Sequence, residues 1–453
     1  MKSQRKPYLS TTQIILLSFL GVILIGSVLL SLPVSSAGGR AVPYIDALFT
    51  ATTATCVTGL VTVSTAATWS VFGQAVILLL IQIGGLGVIT FMTAVMLLFN
   101  RKIGISDRLL IQDAFNLSTL SGIVAFVKKV LIGTLTVESI GACFYMTVFV
   151  PQFGIKGIWV SVFNSVSAFC NAGMDIIGEN SLCDYSGNVL INAVTAALII
   201  LGGLGYIVWW DVSRVIKTRK QNGGRFFKSL TLHSKIVLIS TAFLLIVGTA
   251  LTLCFEYNNP LTLEGLPLSD KIQAAFFQSV TTRTAGFASL PQENLKNPTA
   301  ILSLLLMFIG GSPVGTAGGI KTVTAAVLLS ITVSMISGKN SVSLFGRTIS
   351  KQAVYKAVAV TVMSFSVMFV STLLLSAVTN APALDILFET VSATATVGLS
   401  RSLTGTLNLL GKIIIIFTMY FGRVGPISMA IAFGGKNPSR NIIKNPTEEI
   451  SIG

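Results

Sequence analysis

Eight long apolar runs constrain this chain more than any other feature of its sequence. They lie near residues 13–33, 72–98, 122–150, 189–213, 236–255, 299–336, 353–379 and 408–433. Each run is long enough, as a helix, to cross a hydrocarbon core of about 30 Å. Of the 453 residues, 52% are hydrophobic and only 10% are charged, and the mean hydropathy is +0.82. This composition predicts an all-α integral membrane protein with eight transmembrane helices.

The basic residues predict which side of the membrane each loop occupies. Lys and Arg gather before residue 10 and at 101–129, 214–235, 339–356 and 436–444, whereas acidic residues lean toward the alternate loops. Because cytoplasmic loops collect Lys and Arg, both termini are predicted to be cytoplasmic. The net charge of +15 then reflects topology and basic loops beside anionic membrane lipid. Nucleic acid is not an expected partner, since these clusters lack interleaved aromatic residues.

The sequence offers little for catalysis or for a bound metal. Its five cysteines show no paired spacing, it has one histidine, and no zinc-protease or P-loop motif appears. A membrane enzyme would need a nucleophile and a base, and no such set is evident. We therefore expect no catalytic residue and no cofactor in this chain.

A short polar segment recurs four times between the apolar runs. The copies are ALFTATTATCVTGL, SVFNSVSAFCNAGM, AAFFQSVTTRTAGF and ILFETVSATATVGL, aligned on Gly59, Gly173, Gly286 and Gly398. These glycines are 112 to 114 residues apart, and each follows a phenylalanine by ten residues, at Phe49, Phe163, Phe276 and Phe388. A second glycine motif follows each copy: IGGLG at 83–87, LGGLG at 201–205, IGGSPVG at 309–315 and FGRVG at 421–425.

The repeat predicts an architecture of span, short polar helix, glycine loop and span. Repeat 1 covers 1–100, repeat 2 covers 101–216, repeat 3 covers 217–338 with an intramembrane loop at 310–322, and repeat 4 with the C-terminal tail covers 339–453. Four such span–pore-helix–filter-loop–span repeats in one chain can surround one central pore. Bare backbone carbonyls at membrane depth are tolerated where they line water or are buried in protein.

Glycine suits the loop positions for two reasons. It adopts positive φ, which turns successive carbonyls toward one axis, and it has no Cβ to block close approach of four strands. The alternative role, a helix-packing contact of small residues, is the better interpretation for a second set of glycines: Gly84, Gly85, Gly202 and Gly203.

The chain resembles the membrane subunit of a Ktr-type potassium transporter, in the Ktr/Trk/HKT superfamily. TCVTGL, CNAGMD, TTRTAGF, TVGLS, IGGSPVGTAGGIKT and FGRVGP carry the resemblance, which covers essentially the whole chain. It implies potassium uptake across a bacterial-type plasma membrane through a channel-like pore, with sodium stimulation left open. It also implies a homodimer with one pore per chain, seated on a separate cytoplasmic ring that binds ATP or ADP. In this superfamily a glycine in all four loops accompanies potassium selectivity, and the first loop carries Gly59.

The potassium ion is expected to bind backbone carbonyls of the four loops. No other metal site is expected. Three carbonyl layers are expected, from Val57, Thr58 and Gly59; Asn171, Ala172 and Gly173; Thr284, Ala285 and Gly286; and Thr396, Val397 and Gly398. No loop retains the second glycine of the TVGYG sequence of potassium channels. The filter should therefore be shorter and less selective than a channel's.

A glycine-rich segment, GGSPVGTAGGIKT at 310–322, interrupts the sixth apolar run. It is unsuited to helix and must face protein or water. The resemblance identifies it as an intramembrane gate under the filter, with Lys321 at its inner edge; a kink held by neighbouring helices is the alternative. The predicted gate residues are Gly310, Gly311, Ser312, Pro313, Gly315, Thr316, Ala317, Gly318, Gly319, Lys321 and Arg423.

Ionisable residues at membrane depth are functional candidates. By the resemblance, Arg423 projects into the pore below the filter and slows cations; the alternative is a pair with the buried acid Glu138. Arg283 lies within the third loop, and we expect it to anchor that loop from behind, with Glu389 as a candidate partner.

A different class of function stays open on the sequence alone. In an alternating-access carrier, residues 310–322 would be an unwound helix that binds a small organic or other ionic substrate. Flux that follows the ion gradient favours the channel-like path, whereas low, saturating flux with fixed stoichiometry favours the carrier.

Overall fold

The structure is a computed structural model that describes residues 10–99, 103–115, 122–218, 226–339, 341–425 and 428–429. The basic residues at 1–9, 101–102, 219–225 and 436–444, which contribute to the predicted orientation, lie outside the described residues.

Helices dominate the described ranges, in which one antiparallel hairpin pairs β1 (Ser343–Leu344) with β2 (Arg347–Thr348). The α-helices are α1 (Thr11–Ser31), α2 (Tyr44–Cys56), α3 (Thr65–Thr68), α4 (Val71–Leu86), α5 (Val88–Leu98), α6 (Ile105–Phe115), α7 (Ile123–Phe153), α8 (Ile155–Cys170), α9 (Val189–Leu204), α10 (Tyr206–Lys217), α11 (Phe226–Ser229), α12 (Leu232–Glu256), α13 (Leu268–Thr281), α14 (Asn297–Phe308), α15 (Thr322–Ile336), α16 (Lys351–Val378), α17 (Ala383–Ala395) and α18 (Leu409–Val424). Short 3₁₀ turns occur at Pro33–Ser35, Cys183–Tyr185, Gln292–Asn294 and Thr404–Thr406.

The long helices α1, α12 and α16 are apolar and present much of their surface outward. Each begins at a serine or threonine N-cap. In α1 the Ser10 hydroxyl accepts from the Gln13 backbone amide, and the Gln13 side-chain oxygen accepts from the Ser10 backbone amide. Ile25 is 66% exposed and Phe365 is 53% exposed. Among the residues that the structure describes, these three helices can cross a membrane by length and composition, and the number rises to five if each of two bent helix pairs is one span. The assignment of eight spans stays a prediction.

Four short helices, α2, α8, α13 and α17, lie in the interior of the protein. They have 13 to 16 residues and are largely buried, although they are rich in hydroxyl side chains. Several hydroxyls donate to the carbonyl one turn earlier, as Thr52 does to Leu48 and Ser161 to Gly157. Those bonds satisfy polar groups that would be costly to bury alone. The short helices can therefore sit in the interior despite their polarity.

Helix packing closes a ring. The helix before each short helix packs on that short helix and on the helix after the glycine loop: α1 on α2 and α4, α7 on α8 and α9, α12 on α13 and α14, α16 on α17 and α18. Each helix after the loop also packs on the next short helix, α4 on α8, α9 on α13 and α14 on α17, and α18 packs back on α2. The last unit therefore meets the first.

Two apolar runs that the sequence predicts as single spans are bent in the structure. The run at 72–98 breaks between α4 and α5 with a bend of 101°, and the run at 189–213 breaks between α9 and α10 with a bend of 95°. The break falls at Gly87 and Gly205, whose φ values are +85° and +84°. Glycine adopts this conformation without a Cβ penalty, and the apolar residues on both sides hide the bend from a hydropathy pattern.

Candidate functional site

A left-handed residue follows each of the four short helices, at the C-cap itself in α2, α8 and α17 and two residues beyond the C-cap in α13. Val57, Asn171, Thr284 and Thr396, two residues before the loop glycines, have φ between 51° and 66°. Valine and threonine rarely adopt positive φ, whereas asparagine tolerates it, and such backbone strain tends to lie at functional sites. Gly59, Gly173, Gly286 and Gly398 also have positive φ, from 63° to 102°. Each three-residue loop segment therefore has positive φ at its first and third residues.

The four loop glycines meet around a single axis. A Cβ built on Gly59 would lie 2.6 Å from the carbonyl oxygen of Ala172 and 3.1 Å from the Cα atoms of Gly173 and Gly398. The same relation runs around the ring: a Cβ on Gly173 would lie 2.7 Å from Ala285 O, one on Gly286 2.5 Å from Val397 O, and one on Gly398 2.3 Å from Thr58 O. Each glycine thus faces a carbonyl of the next loop, and no side chain fits at these positions.

The third loop departs from the repeat that the sequence alignment assumes. Phe49, Phe163 and Phe388 are fully buried, but Phe276 is 37% exposed and its neighbour Phe277 is 1% exposed. In loops one, two and four, the amide before the glycine donates to a carbonyl five residues earlier, whereas Ala285 donates to Thr281, four residues earlier. The third turn is therefore one residue shorter, and the assignment of Phe276 to the repeated position was wrong.

A cavity of about 610 Å³ opens onto one side of the ring. All four loop glycines line it, together with three carboxylates, Asp175, Glu179 and Glu293. Asp175 follows the second loop, is 9% exposed, and accepts from the amide of Ile177 at 3.4 Å. Burial raises the pKa of the Asp175 carboxyl to about 6. The cavity therefore has acidic character next to the loop carbonyls.

The segment at 310–322 contacts the loops beside the innermost filter candidates. The Thr316 hydroxyl lies 3.0 Å from Phe169 O and 3.2 Å from Asn171 Oδ1, and the Gly318 amide donates to Thr284 Oγ1 at 3.0 Å. A Cβ on Gly318 would collide with the Thr396 hydroxyl. Three of the four loops thus touch this segment.

Neighbouring backbone holds this segment in a fixed, non-helical path. Its amides at Ser312 and Thr316 donate to the carbonyls of Gly203 and Gly202, and its Val314 carbonyl accepts from Tyr206. Lys321 folds back, and its ammonium donates to Ala317 O at 2.6 Å. These bonds supply the partners that a buried, non-helical backbone requires.

Arg423 joins α18 to the glycine-rich segment. Its guanidinium donates to Thr316 O at 2.7 Å and to Gly84 O. It lines a second cavity, of about 250 Å³, with Lys321. The alternative pairing with Glu138 was wrong, since Glu138 accepts from Gln82 at 3.2 Å and contacts Cys170. Two backbone carbonyls therefore take the place of an acidic partner.

The expected pair of Arg283 with Glu389 was also wrong. Arg283 is 7% exposed and donates to the Thr241 hydroxyl of α12 at 3.4 Å. Glu389 is fully buried and accepts from the hydroxyls of Ser400 and Thr404. The carboxylate is thus satisfied within its own unit, by residues that follow the fourth loop.

Sequence reasoning missed a set of hydroxyls that tie each loop to its short helix. They belong to Thr53, Ser167, Thr281 and Ser392. A hydroxyl five or six residues before each loop glycine was the available signal, but serine and threonine are so common in these helices that it did not stand out.

Comparison with known proteins gives a consistent result. A family model described as "Cation transport protein", TrkH, matches residues 4–445. The chain is 40% identical over 442 residues to the Ktr system potassium uptake protein B of Bacillus subtilis, covering 97% of this chain and 96% of that protein. It is also 40% identical over 459 residues to the potassium/sodium uptake protein NtpJ of Enterococcus hirae, covering 100% and 99%.

The fold agrees with a solved structure. The potassium transporter TrkH from Vibrio parahaemolyticus superposes with a TM-score of 0.73 at 18% identity, covering 97% of this chain and 86% of that one. The family match and the apolar helices indicate a multi-pass, mainly helical membrane protein, and the family transports cations and is not one of enzymes. The chain belongs to the TrkH cation transport protein family, as a Ktr/Trk-type membrane subunit.

Proposed function

We propose that the chain takes up potassium across the plasma membrane through one central pore on the axis of the four glycine loops. The observation that carries this proposal is the ring in which each loop glycine faces a carbonyl of the next loop. Backbone carbonyls arranged in this way can replace the hydration shell of a potassium ion. The names of the relatives, a potassium uptake protein and a potassium/sodium uptake protein, support potassium as the substrate and sodium as a stimulating or second ion.

The filter would use the backbone of three residues in each loop. The inner layer has the left-handed residues Val57, Asn171, Thr284 and Thr396, and the glycines form the outer layer. The middle layer is supported best, because its four carbonyl oxygens lie against the glycines of the neighbouring loops. They belong to Thr58, Ala172, Ala285 and Val397.

We place this pore in a scaffold of four span–pore-helix–filter-loop–span repeats with eight membrane crossings. The cyclic packing of the long, short and following helices supports the repeat. In this arrangement α4 with α5 and α9 with α10 are bent crossings, and α14 with α15 form one crossing that the glycine-rich segment interrupts. The basic loops support a cytoplasmic location for both termini.

The gate would be residues 310–322 together with Arg423. Contacts of this segment with Asn171 and Thr284 support a position directly beside the filter. Arg423 holds the segment through Thr316 O and adds a positive charge to the path. A charge in a narrow site of low dielectric repels a passing cation strongly. The structure thus supports two coupled obstacles to flux.

Regulation would come from a partner. The chain would form a homodimer with one pore per chain and would bind a separate cytoplasmic ring that holds ATP or ADP. Relatives named as proteins B and D of a "Ktr system" support a multi-subunit assembly.

Ion flux into liposomes tests the function. The purified chain is reconstituted, and uptake of potassium, rubidium and sodium is compared under matched gradients. We expect flux that follows the ion gradient, with potassium and rubidium ahead of sodium. Low, saturating flux with a fixed stoichiometry would instead support an alternating-access carrier.

A further inference from the structure

Four buried hydroxyls occupy one structural position in the four short helices. Each lies on the last turn of its helix, five or six residues before the loop glycine, and each is fully buried. They belong to Thr53, Ser167, Thr281 and Ser392. Thr281 precedes its glycine by five residues and the other three hydroxyls precede theirs by six, because the third turn is one residue shorter. The position is therefore the same in space although not in the ungapped sequence.

The hydroxyls bind their loops in two different ways. In the first and fourth loops the hydroxyl accepts from the amide of the filter glycine: Gly59 to Thr53 at 2.9 Å and Gly398 to Ser392 at 3.0 Å. In the second and third loops the hydroxyl donates to the carbonyl of the residue after the glycine, which belongs to Met174 and Phe287. These two bonds measure 2.5 Å and 2.6 Å. Units one and four are neighbours in the ring, as are units two and three.

The first arrangement fixes the direction of a filter carbonyl. In a planar trans peptide the C=O and the following N–H point in opposite directions. Because the Gly59 and Gly398 amides point back to their helices, the carbonyls of Thr58 and Val397 must point away from the helices. These two carbonyls belong to the ring, since Thr58 O lies against Gly398 and Val397 O against Gly286.

The second arrangement fixes the outer end of the loop. When Ser167 and Thr281 hold the carbonyls of Met174 and Phe287, those oxygens are turned toward the short helices. They are therefore withdrawn from the axis just outside the filter glycines. The two hydroxyl pairs act at different depths.

We propose that Thr53 and Ser392 are positioning residues for ion selectivity, because each locks one filter peptide with its carbonyl toward the ion. This inference rests on the proposed filter. Without the acceptor, the peptide at Gly59 or Gly398 is free to rotate and to present an N–H to the axis, which repels a cation. Ser167 and Thr281 hold the second and third loops beyond their glycines, outside this layer, and therefore have a smaller effect on selectivity.

The test compares variants that remove a bonded hydroxyl with variants that remove an unbonded one. Thr53→Val and Ser392→Ala delete the acceptors. Thr55→Val and Thr394→Val are the matched controls, since they lie two residues further along the same helices. The hydroxyls of Thr55 and Thr394 are buried and have no hydrogen-bond partner among the residues that the structure describes. All four variants retain the shape of the helix end closely.

The readout is the ratio of potassium to sodium flux in liposomes. One buried hydrogen bond corresponds to a change of about three- to tenfold, so we expect Thr53→Val and Ser392→Ala each to lower the ratio by about that factor. Thr53→Ser keeps the accepting hydroxyl and should therefore show the parent ratio. Ser167→Ala should change the ratio by less than about twofold. A melting curve in detergent establishes that each variant is folded; Ser392→Ala, which removes one oxygen, carries the test if Thr53→Val does not fold.

The outcomes separate this inference from the function beneath it. If the parent shows no preference for potassium over sodium, the proposed filter itself fails. If the parent is selective but Thr53→Val and Ser392→Ala match their controls, the filter stands and the positioning role is overturned.

Discussion

The guanidinium of Arg423 donates to Thr316 O at 2.7 Å, so a charged side chain of α18 holds the glycine-rich segment by its backbone. A second bond, to Gly84 O, fastens the same side chain to α4. Charge-assisted hydrogen bonds are about twice as strong as neutral ones. The segment is thus tied to the first and last units of the ring.

Loss of this tie should increase potassium flux. Arg423→Ala removes both the charge and the two bonds, and we expect flux to rise about tenfold, the factor that corresponds to about 1.4 kcal/mol. Selectivity should be retained, because the loop carbonyls are untouched. Flux into liposomes measures both.

Arg423→Lys separates charge from bonding. A lysine keeps the positive charge but lacks the planar fork that reaches two carbonyls. Flux at the parent level in this variant would assign the effect to charge, and flux near that of Arg423→Ala would assign it to the bonds. No increase in folded Arg423→Ala protein would place the gate elsewhere.

Serine at a loop glycine should let sodium compete with potassium. A Cβ at Gly59 or Gly398 would lie within 2.6 Å of a carbonyl oxygen, and serine is strained at the positive φ of these positions. The ring must therefore widen or distort. We expect Gly59→Ser and Gly398→Ser to lower the potassium preference measured by competition flux. Gly405→Ser is the control, since Gly405 lines the same cavity but faces open space. Unchanged preference in both filter variants would count against the ring as the filter.

Two adjacent glycines of α9 should differ in their tolerance of alanine. A Cβ at Gly202 would lie 2.0 Å from Phe169 O, whereas the nearest atom to a Cβ at Gly203 is 3.7 Å away. Overpacking of this kind typically costs about 1–3 kcal/mol. Gly202→Ala should therefore lower the melting temperature in detergent, and Gly203→Ala should leave it close to the parent value. Equal melting of the two variants would refute the contact.

External acid should reduce uptake. The Asp175 carboxyl, whose pKa burial raises to about 6, is charged above that pH and neutral below it. Its charge would attract cations to the cavity that the four loop glycines line. We expect flux to fall by about two- to fivefold as external pH drops through about 6, the range for about 0.5–1 kcal/mol. Asp175→Asn should abolish this step, and a step that persists in the variant would assign it to another group.

Spacing in the sequence pointed to the four glycines that the structure brings together, but nothing in the sequence pointed to the contacts made by the backbone. Gly59, Gly173, Gly286 and Gly398 were identifiable because a fourfold repeat spaces consecutive ones 112 to 114 residues apart. The carbonyl partners of Arg423 were not, since every residue has a carbonyl and an arginine more readily suggests an acid such as Glu138.

Small changes in loop length and helix geometry were equally hidden. The third loop lacks one residue of turn, so an ungapped alignment selected Phe276 in place of the buried Phe277. The bends at Gly87 and Gly205 lie inside continuous apolar runs, where hydropathy stays high on both sides. Hydropathy therefore located the runs but not the shape of the helices within them.

The position of a bound ion tests the central claim most directly. Crystals of the protein soaked in thallium or rubidium, which replace potassium and scatter anomalously, would show where the permeating ion rests. The account predicts an anomalous peak on the axis of the ring, among the carbonyls of Thr58, Ala172, Ala285 and Val397. A peak only within the segment at 310–322, with none on the axis, would contradict the filter and favour a carrier.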